Sequence, residues 1–309
     1  MNTSKKKKAF LQTIGLVTVL LLPACGSQGN TATATPPTPN QPSPTTQEKP
    51  TDNGNKIDPQ TMSHWHTVSQ SLTTNGIIVG AHTGLYTSKN SVDWYKAATG
   101  LEGMDVMGIV QSINQPEKLI AGGHGFLKVS NDKGATWSDL TTGLPSEPDV
   151  HDLLAIDKDA KNLIAYVAMD GFYLSNDGGK NWNKKTNYPA NVQNMSLNPL
   201  SNTLYIVEEK GLFASKVDSW QWSKVNSKDG SQVLGLVHDK NGTAYLATST
   251  GLWRTDNFKD FTNINNGKIP NQVVMLGISP KDLTTVIAIT NHAQFYLSPD
   301  KGQTWKQIK

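Results

Sequence analysis

The chain has 309 residues, of which 36% are hydrophobic and 17% are charged. This composition is typical of a turn-rich β protein and argues against a coiled coil or a long-helix protein. Arg254 is the only arginine, so the sequence also argues against a site in which several guanidinium groups bind carboxylates, phosphates or nucleic acid.

The N-terminus has the pattern of a bacterial lipoprotein leader. Residues 5–8 are four lysines, residues 9–24 are almost uncharged, and Cys25 follows in the sequence Leu-Pro-Ala-Cys-Gly. This pattern predicts a signal peptide over residues 1–24 and lipidation of Cys25, for example with palmitate. An ordinary signal peptide with an incidental cysteine is the alternative. Cys25 is the only cysteine, which excludes disulfides, and the lipid would hold the protein at the extracytoplasmic face of the cell membrane.

A polar segment separates the predicted anchor from the rest of the chain. Residues 25–57 are rich in Thr, Pro, Gln and Asn and contain almost no apolar side chains, which predicts a disordered tether. Removal of residues 1–24 deletes four lysines and changes the formal net charge from +3 to −1. The mature chain therefore has no excess of positive charge for nucleic acid, and we expect no nucleic-acid partner.

A repeat of about 42 residues fills the rest of the chain. Segments 130–137, 175–182 and 298–305 share the pattern Ser-x-Asp-x-Gly-x-Thr-Trp, with Asn in place of Thr in the second copy. Three degenerate copies end in an aromatic residue at positions 94, 222 and 261. The six aromatic positions are separated by 43, 45, 40, 39 and 44 residues, which predicts six structural units.

The three complete copies predict tight hairpin turns. The aspartate would accept hydrogen bonds from the backbone, the glycine would adopt a backbone angle that other residues resist, and the tryptophan would pack between neighbouring sheets. We therefore interpret these carboxylates as structural and not catalytic. The residues concerned are Asp132, Gly134, Trp137, Asp177, Gly179, Trp182, Asp300, Gly302 and Trp305.

Each unit contains four short β-branched or aromatic runs bounded by Gly, Asn, Asp and Pro, and no helical periodicity competes with them. The sequence predicts an all-β fold, a six-bladed β-propeller over residues 58–309 with four-stranded antiparallel blades. The turns formed by the complete copies would join the third and fourth strands of a blade and would define the bottom face. The ring would close where the last unit, ending at Trp305, meets the first, beginning near Trp65.

Six of the seven histidines fall on the predicted top face, and only His238 falls on the bottom. Imidazoles and carboxylates near one axis suit a small polar molecule, a glycan or a transition metal such as Zn or Cu. A solvated propeller mouth without a ligand is the alternative interpretation. The predicted ligand-binding residues are His66, His82, Asp105, His124, His151 and Asp170, with His82, His124 and His151 as candidate metal ligands.

The segments AHTGLY, MDVMGI, GGHG, SNDKGATW and DVHDLL occur in this order between residues 81 and 154. Together they resemble a group of secreted and lipid-anchored BNR/Asp-box propellers of Gram-positive bacteria, which are called glycosyl-hydrolase-like or sialidase-like. The resemblance covers residues 64–185 well and the remainder through the repeat. Sialidases of this fold bind the substrate carboxylate with three arginines, which this chain lacks, so sialidase activity is not expected.

Two other groups of propellers share the repeat and are more distantly similar. Photosystem II assembly factors of this type carry an arginine patch, which is missing here, and sortilin-type ten-bladed propellers need a far longer chain. The resemblance therefore implies the fold more directly than any one activity.

Three hypotheses about function follow from the sequence. The leading one is a non-enzymatic, monomeric lipoprotein that binds a ligand at the top face of its propeller. The second is a glycoside hydrolase that acts on envelope or extracellular glycans, with Asp105 or Asp170 paired with Glu209 as the two catalytic carboxyl groups. The third is a protein-interaction platform in envelope assembly, whose partners would be other envelope proteins.

Overall fold

Six antiparallel sheets of four strands each account for all 24 strands of the computed structural model, which describes residues 56–57, 64–74, 76–189 and 191–308. The predicted signal peptide, Cys25 and nearly all of the predicted tether lie outside these residues. Within the described ranges, a helix suited to crossing a membrane is not found. The prediction of a six-bladed β-propeller with four-stranded blades is confirmed.

Strands within a blade follow the chain order, from the innermost strand to the outermost. Blade one comprises β1 (Trp65–Gln70), β2 (Ile77–Ala81), β3 (Gly84–Ser88) and β4 (Trp94–Lys96). Blade two comprises β5 (Val106–Gln111), β6 (Leu119–Gly123), β7 (Phe126–Ser130) and β8 (Ser138–Asp139). Blade three comprises β9 (Val150–Ala155), β10 (Leu163–Val167), β11 (Gly171–Ser175) and β12 (Asn183–Lys185).

The second half of the ring repeats this arrangement. Blade four comprises β13 (Val192–Asn198), β14 (Thr203–Glu208), β15 (Gly211–Lys216) and β16 (Ser223–Val225). A short 3-10 helix, Lys228–Gly230, leads to blade five. Blade five comprises β17 (Val233–His238), β18 (Ala244–Thr248), β19 (Gly251–Thr255) and β20 (Thr262–Asn263). Blade six comprises β21 (Val273–Ile278), β22 (Val286–Thr290), β23 (Phe295–Ser298) and β24 (Lys306–Gln307).

The second strand of a blade lies between the sheets of the two neighbouring blades. In β2, β6, β10, β18 and β22 every residue is buried, because neighbouring blades cover both faces of the strand. These strands are therefore continuous apolar runs such as LIAYV, and not alternating ones. The core of the protein consists of apolar clusters, most of which lie between adjacent blades.

The complete repeat turns have the predicted geometry. In the turn after β11, Ser175 Oγ donates to Asp177 Oδ1 at 2.8 Å and accepts from the Gly179 backbone N–H at 2.8 Å. Gly179 has a φ of 90°, which favours glycine. Trp182 donates from Nε1 to the carbonyl of Leu140 in the preceding blade at 2.9 Å. The turns at 130–137 and 298–305 have the same serine–aspartate–glycine pattern.

Two degenerate turns differ from the sequence alignment in one respect. The aligned aromatic residues, Trp222 and Phe261, are only partly buried, as are Trp137 and Trp305 of the complete turns. The fully packed aromatic residues of these turns are Trp220 and Phe258, which lie earlier in the turn at positive φ values of 51° and 54°. Each of these two turns therefore places a second aromatic residue in the space between its blade and the neighbouring blade.

The ring closes by direct contact of β21 with β1, as the sequence predicts. At this seam the Phe295 ring lies 4.8 Å from the Trp65 ring and 5.1 Å from the Trp94 ring, measured between centroids. Ser279 Oγ donates to Gln70 Oε1 across the same joint at 2.5 Å. Ile57, at the end of the predicted tether, forms an isolated bridge with Trp94 and packs on this cluster.

The innermost strand of every blade has a shift in register near its start. One residue of this strand is skipped, which means that it has no partner in the second strand, as in a β-bulge. A bulge changes the direction in which the side chain of that residue points. The skipped residues are His66, Met107, His151, Gln193, Leu234 and Val274.

Candidate functional site

All of the predicted ligand-binding residues except Asp170 come from three positions that recur in the blades. The first is the skipped residue of the innermost strand, the second lies two residues before it, and the third directly follows the second strand. In blade one these positions hold His66, His64 and His82. In blade two they hold Met107, Asp105 and His124, and in blade three they hold His151, Asp149 and Ala168. In blade four they hold Gln193, Asn191 and Glu209. In blade five they hold Leu234, Gln232 and Ser249, and in blade six they hold Val274, Gln272 and Asn291.

The backbone confirms that these positions correspond. In blades one, three, five and six, a backbone hydrogen bond joins the third of these positions to the second. The residue that directly follows the second strand donates its N–H to the carbonyl of the residue that lies two before the skipped one. The pairs are His82 with His64 at 3.2 Å, Ala168 with Asp149 at 2.8 Å, Ser249 with Gln232 at 2.9 Å and Asn291 with Gln272 at 2.9 Å. Imidazoles and carboxylates therefore concentrate on one half of the mouth, in blades one to three.

His66, His82 and Asp105 bring three metal-ligating groups together. Nε2 of His66 lies 3.0 Å from Oδ1 of Asp105, and Nδ1 of His82 lies 3.1 Å from Oδ2. The two nitrogens are 3.3 Å apart. Ligand atoms around a tetrahedral Zn²⁺, each about 2.0–2.1 Å from the metal, are separated by roughly 3.3 Å. The three groups therefore have the spacing of one face of such a coordination sphere.

Asp105 is the buried member of this cluster, with only 9% of the residue exposed. Among the described residues, neither of its carboxylate oxygens receives a well-aligned hydrogen bond. The groups against them are imidazole nitrogens of His66, His82 and His124, the last at 3.5 Å. A buried carboxylate is costly unless a cation or several donors compensate it, so this arrangement favours a bound cation.

The electrostatics of His66 are consistent with this arrangement. Burial, the largest effect, lowers the pKa of His66 below its ordinary value, and the neighbouring histidines act in the same direction, whereas Asp105 opposes them. The neutral imidazole has a lone pair available for a metal or for a hydrogen-bond donor. Its neighbour His82 is half exposed at the rim, so the cluster is open to solvent on one side.

A second cluster, formed by His124, Asp149 and His151, adjoins the first. Nε2 of His124 lies 3.1 Å from Oδ1 of Asp149, and Nε2 of His151 lies 3.0 Å from Oδ2. The structure thus divides the three candidate metal ligands of the sequence analysis, placing His82 in the first cluster and the other two in the second. Asp149 was not among the predicted site residues, although it corresponds to Asp105 in the repeat.

The other predicted carboxylates lie outside both clusters. Asp170 forms an ion pair with Lys184 at 2.7 Å and accepts a short hydrogen bond from Tyr173, both on its own blade. The hydrogen bond from Lys184 lowers the pKa of Asp170. Glu209 lines a groove of about 1190 Å³ on blades four and five. The two carboxyl groups of a glycosidase stand about 5–9.5 Å apart and need no direct contact, so the pairing of Asp105 or Asp170 with Glu209 stays a prediction.

His238 lies away from the mouth, as its position in the repeat predicts. It is buried, with Nδ1 2.8 Å from Ser196 Oγ and its ring tilted by 34° against the Tyr205 ring at 4.6 Å between centroids. Arg254, the single arginine, donates to the carbonyl of Lys301 at 3.4 Å and takes no part in the clusters. Both residues stabilise contacts between blades.

The comparisons with known proteins agree with this architecture. The model of the family described as photosynthesis system II assembly factor YCF48 matches residues 49–309. The chain belongs to this family. The prediction that such assembly factors are only distantly similar, which rested on the missing arginine patch, is corrected by this match. Membership in the YCF48 family holds although this member has a single arginine.

Solved structures show the same fold at low sequence identity. The structure of YCF48 bound to D1 peptide is 15% identical, with a TM-score of 0.56 over 84% of this chain and 85% of that one. A GH74 xyloglucanase from Xanthomonas campestris is 12% identical, with a TM-score of 0.56 over 78% of this chain. This YCF48-family chain spans only 46% of the xyloglucanase. A putative gluconolactonase has a TM-score of 0.60 at 9% identity, over 79% of this chain and 90% of that one.

These similarities support a BNR-type propeller and show the fold alone. No curated protein sequence is significantly similar to the chain. The chemistry of the mouth therefore depends on the residues of this YCF48-family member itself.

Proposed function

We propose that this protein is an extracytoplasmic, lipid-anchored binding protein whose propeller binds a divalent transition metal at its top face. The ligands are His66, His82 and Asp105. Two imidazoles and one carboxylate suit Zn²⁺ and Cu²⁺, and the general order of affinities favours Cu²⁺ where both are present.

One observation carries this proposal. The buried Asp105 carboxylate is surrounded by ring nitrogens at 3.0–3.5 Å and not by well-aligned donors. An uncharged polar ligand would add no charge that compensates this carboxylate. A divalent cation at the common centre of the three groups supplies that charge and uses the lone pairs of both imidazoles.

The test is thermal unfolding of the full chain, purified in detergent and stripped of metal, with and without Zn²⁺, Cu²⁺, Ni²⁺ and Ca²⁺. Binding to the folded state at 100 times the Kd adds about 2.7 kcal/mol to the free energy of unfolding, which raises the Tm by several degrees. We expect this rise with Zn²⁺ or Cu²⁺ in the parent chain and a clearly smaller rise in His66→Ala and Asp105→Asn. A rise in both variants that equals the rise in the parent chain would refute the assignment.

His292→Ala is the matched control, because His292 is exposed on the top face of blade six, away from both clusters. Its Tm response to metal should equal that of the parent chain. An equal loss of the response in His292→Ala would indicate nonspecific binding by surface histidines.

The lipid anchor is proposed from the leader and Cys25. We expect the protein in the membrane fraction of a bacterial host and the Cys25→Ala variant in the soluble extracytoplasmic fraction. Incorporation of labelled palmitate into the parent chain but not into this variant would support the anchor. Retention of Cys25→Ala on the membrane would contradict it.

Membership in a family of assembly factors favours a second candidate, a protein-interaction platform. Affinity purification from cross-linked envelopes distinguishes the two candidates. A partner that is recovered equally with the parent chain and with His66→Ala would support an interaction surface that does not need the metal ligands. A partner lost with that variant would connect the interaction to the metal site.

A further inference from the structure

The second cluster, His124, Asp149 and His151, has three candidate ligand atoms that all lie within 4.8 Å of one another. Its contacts of 3.1 Å and 3.0 Å place one imidazole on each oxygen of the Asp149 carboxylate. Oδ1 of Asp149 is buried and, within the residues that the structure describes, receives no well-aligned hydrogen bond. The cluster therefore repeats the features of the first one blade further round the ring.

We infer that these three residues form a second metal site and that His124 joins it to the first, so that the mouth holds a two-metal centre. This inference rests on the proposed function, because it assigns a second ion and a shared ligand to the same face of the propeller.

His124 is the residue that connects the clusters. Its Nδ1 lies 3.5 Å from Oδ2 of Asp105, and its Nε2 lies 3.1 Å from Oδ1 of Asp149. An imidazole has one nitrogen on each side of the ring, and both can bind a metal once the ring proton has been released to water. One side chain thus faces both carboxylates with the two atoms that can bind an ion.

The backbone holds this ring between the two blades. His124 and Asp149 form an isolated β-bridge, and the N–H of Gly125 donates to the carbonyl of Pro148 at 3.0 Å. The loop that carries His124 is therefore attached to the segment that carries Asp149. A ligand fixed at both ends in this way has little conformational entropy to lose on binding.

The shared ring also defines the class of chemistry. Two metal–nitrogen bonds of about 2 Å on opposite sides of one imidazole place the ions roughly 6 Å apart. Two-metal hydrolytic sites hold their ions about 3.5–4 Å apart so that both contact one reacting group. The centre is therefore suited to binding or coupling two ions, such as two Cu²⁺, and not to clamping a scissile bond.

The first test is metal stoichiometry. The metal-stripped full chain in detergent is titrated with Cu²⁺, freed of excess metal and analysed for bound copper. We expect two ions per chain in the parent and in His292→Ala, one in His151→Ala and one in His82→Ala. One ion in the parent, lost in His82→Ala but kept in His151→Ala, would leave the proposed function intact and overturn the second site. No bound copper would overturn both, and two ions in His151→Ala would place the second ion elsewhere.

The second test addresses the shared ligand by electron paramagnetic resonance. Two Cu²⁺ ions joined by one imidazole couple magnetically, so the signal at two equivalents should be less than twice the signal at one. In His124→Ala any remaining ions should give additive signals. Additive signals in the parent chain at two bound ions would refute the bridge. The Tm of each metal-free variant confirms that it is folded.

Discussion

A β-carbon placed on Gly123 would lie 1.7 Å from the carbonyl oxygen of Asp105, far inside the distance at which two atoms can approach. Gly123 is the last residue of β6 and precedes His124, and the segment before β5 that carries Asp105 lies directly against it. Glycine at this position thus allows the Asp105 backbone to reach the depth at which its carboxylate meets the imidazoles.

The first prediction follows from this close approach. Gly123→Ala should displace Asp105 and weaken metal binding by at least about tenfold, which corresponds to roughly 1.4 kcal/mol. Isothermal titration with Zn²⁺ measures the change. Gly235→Ala is the control, since a β-carbon there would meet its nearest atom at an ordinary 3.5 Å. Unchanged affinity in Gly123→Ala would show that the position of the Asp105 backbone does not determine the site.

The second prediction concerns Asp170, which the sequence placed in the binding site. Because its carboxylate is engaged by Lys184 and Tyr173, Asp170→Asn should leave the Tm rise with Zn²⁺ or Cu²⁺ unchanged. The metal-free Tm should fall slightly, because the ion pair within blade three is lost. Thermal unfolding with and without metal checks both statements. Loss of the metal response would return Asp170 to the site.

The third prediction tests the repeat turns. Ser175 Oγ is the acceptor for the buried Gly179 N–H, so Ser175→Ala leaves that donor unsatisfied and should lower the free energy of unfolding by about 1–3 kcal/mol. Ser223→Ala, at an exposed serine of the outermost strand of blade four, should change it by less than about 0.5 kcal/mol. Chemical denaturation of both variants gives the comparison, and equal values would contradict the assigned role.

The fourth prediction is a pH dependence at the buried His238. Burial lowers the pKa of His238 from 6.5 to about 3, so the folded state disfavours the protonated ring that the unfolded chain readily forms. The contribution of this residue to the free energy of unfolding is fully present above pH 6.5. It is lost as the pH falls towards 3, by up to roughly 1.4 kcal/mol per pH unit. The free energy of unfolding of His238→Phe should therefore decrease less steeply over this range.

The loss of the hydrogen bond between His238 and Ser196 lowers the stability of His238→Phe by an offset that does not depend on pH. Denaturation at pH 4, 5, 6 and 7 separates this offset from the change in slope. Parallel curves for the parent and the variant would contradict the lowered pKa.

Most of the fold follows from local patterns. The spacing of the aromatic residues from Trp94 to Trp305 predicts six blades because each turn must place one ring between adjacent sheets. The top-face position of the histidines follows from the alternation of turns around a propeller. The degenerate turns were harder to predict, since Trp220 and Phe258 fill the gap from positions that the complete pattern does not use.

The pairing within the site could not be predicted from one sequence. The contact of His66 with Asp105 depends on the register shift in β1 and on the angle between two blades, and neither has a local sequence signal. Asp149 could have been found by aligning the blades, because it occupies the position of Asp105 one blade later. The division of His82 and His151 between two clusters required the three-dimensional structure.

Each sheet of this propeller is built from four strands that are consecutive in the chain, and the seam between blades six and one is held by side chains such as Phe295 and Trp65. Among the strands that the structure describes, none is shared across the seam, so this joint has the same construction as the other five. The closed ring therefore does not depend on which blade comes first in the chain. A circularly permuted gene that starts at blade four and links the present ends should yield the same closed ring and keep the histidine-bearing blades contiguous.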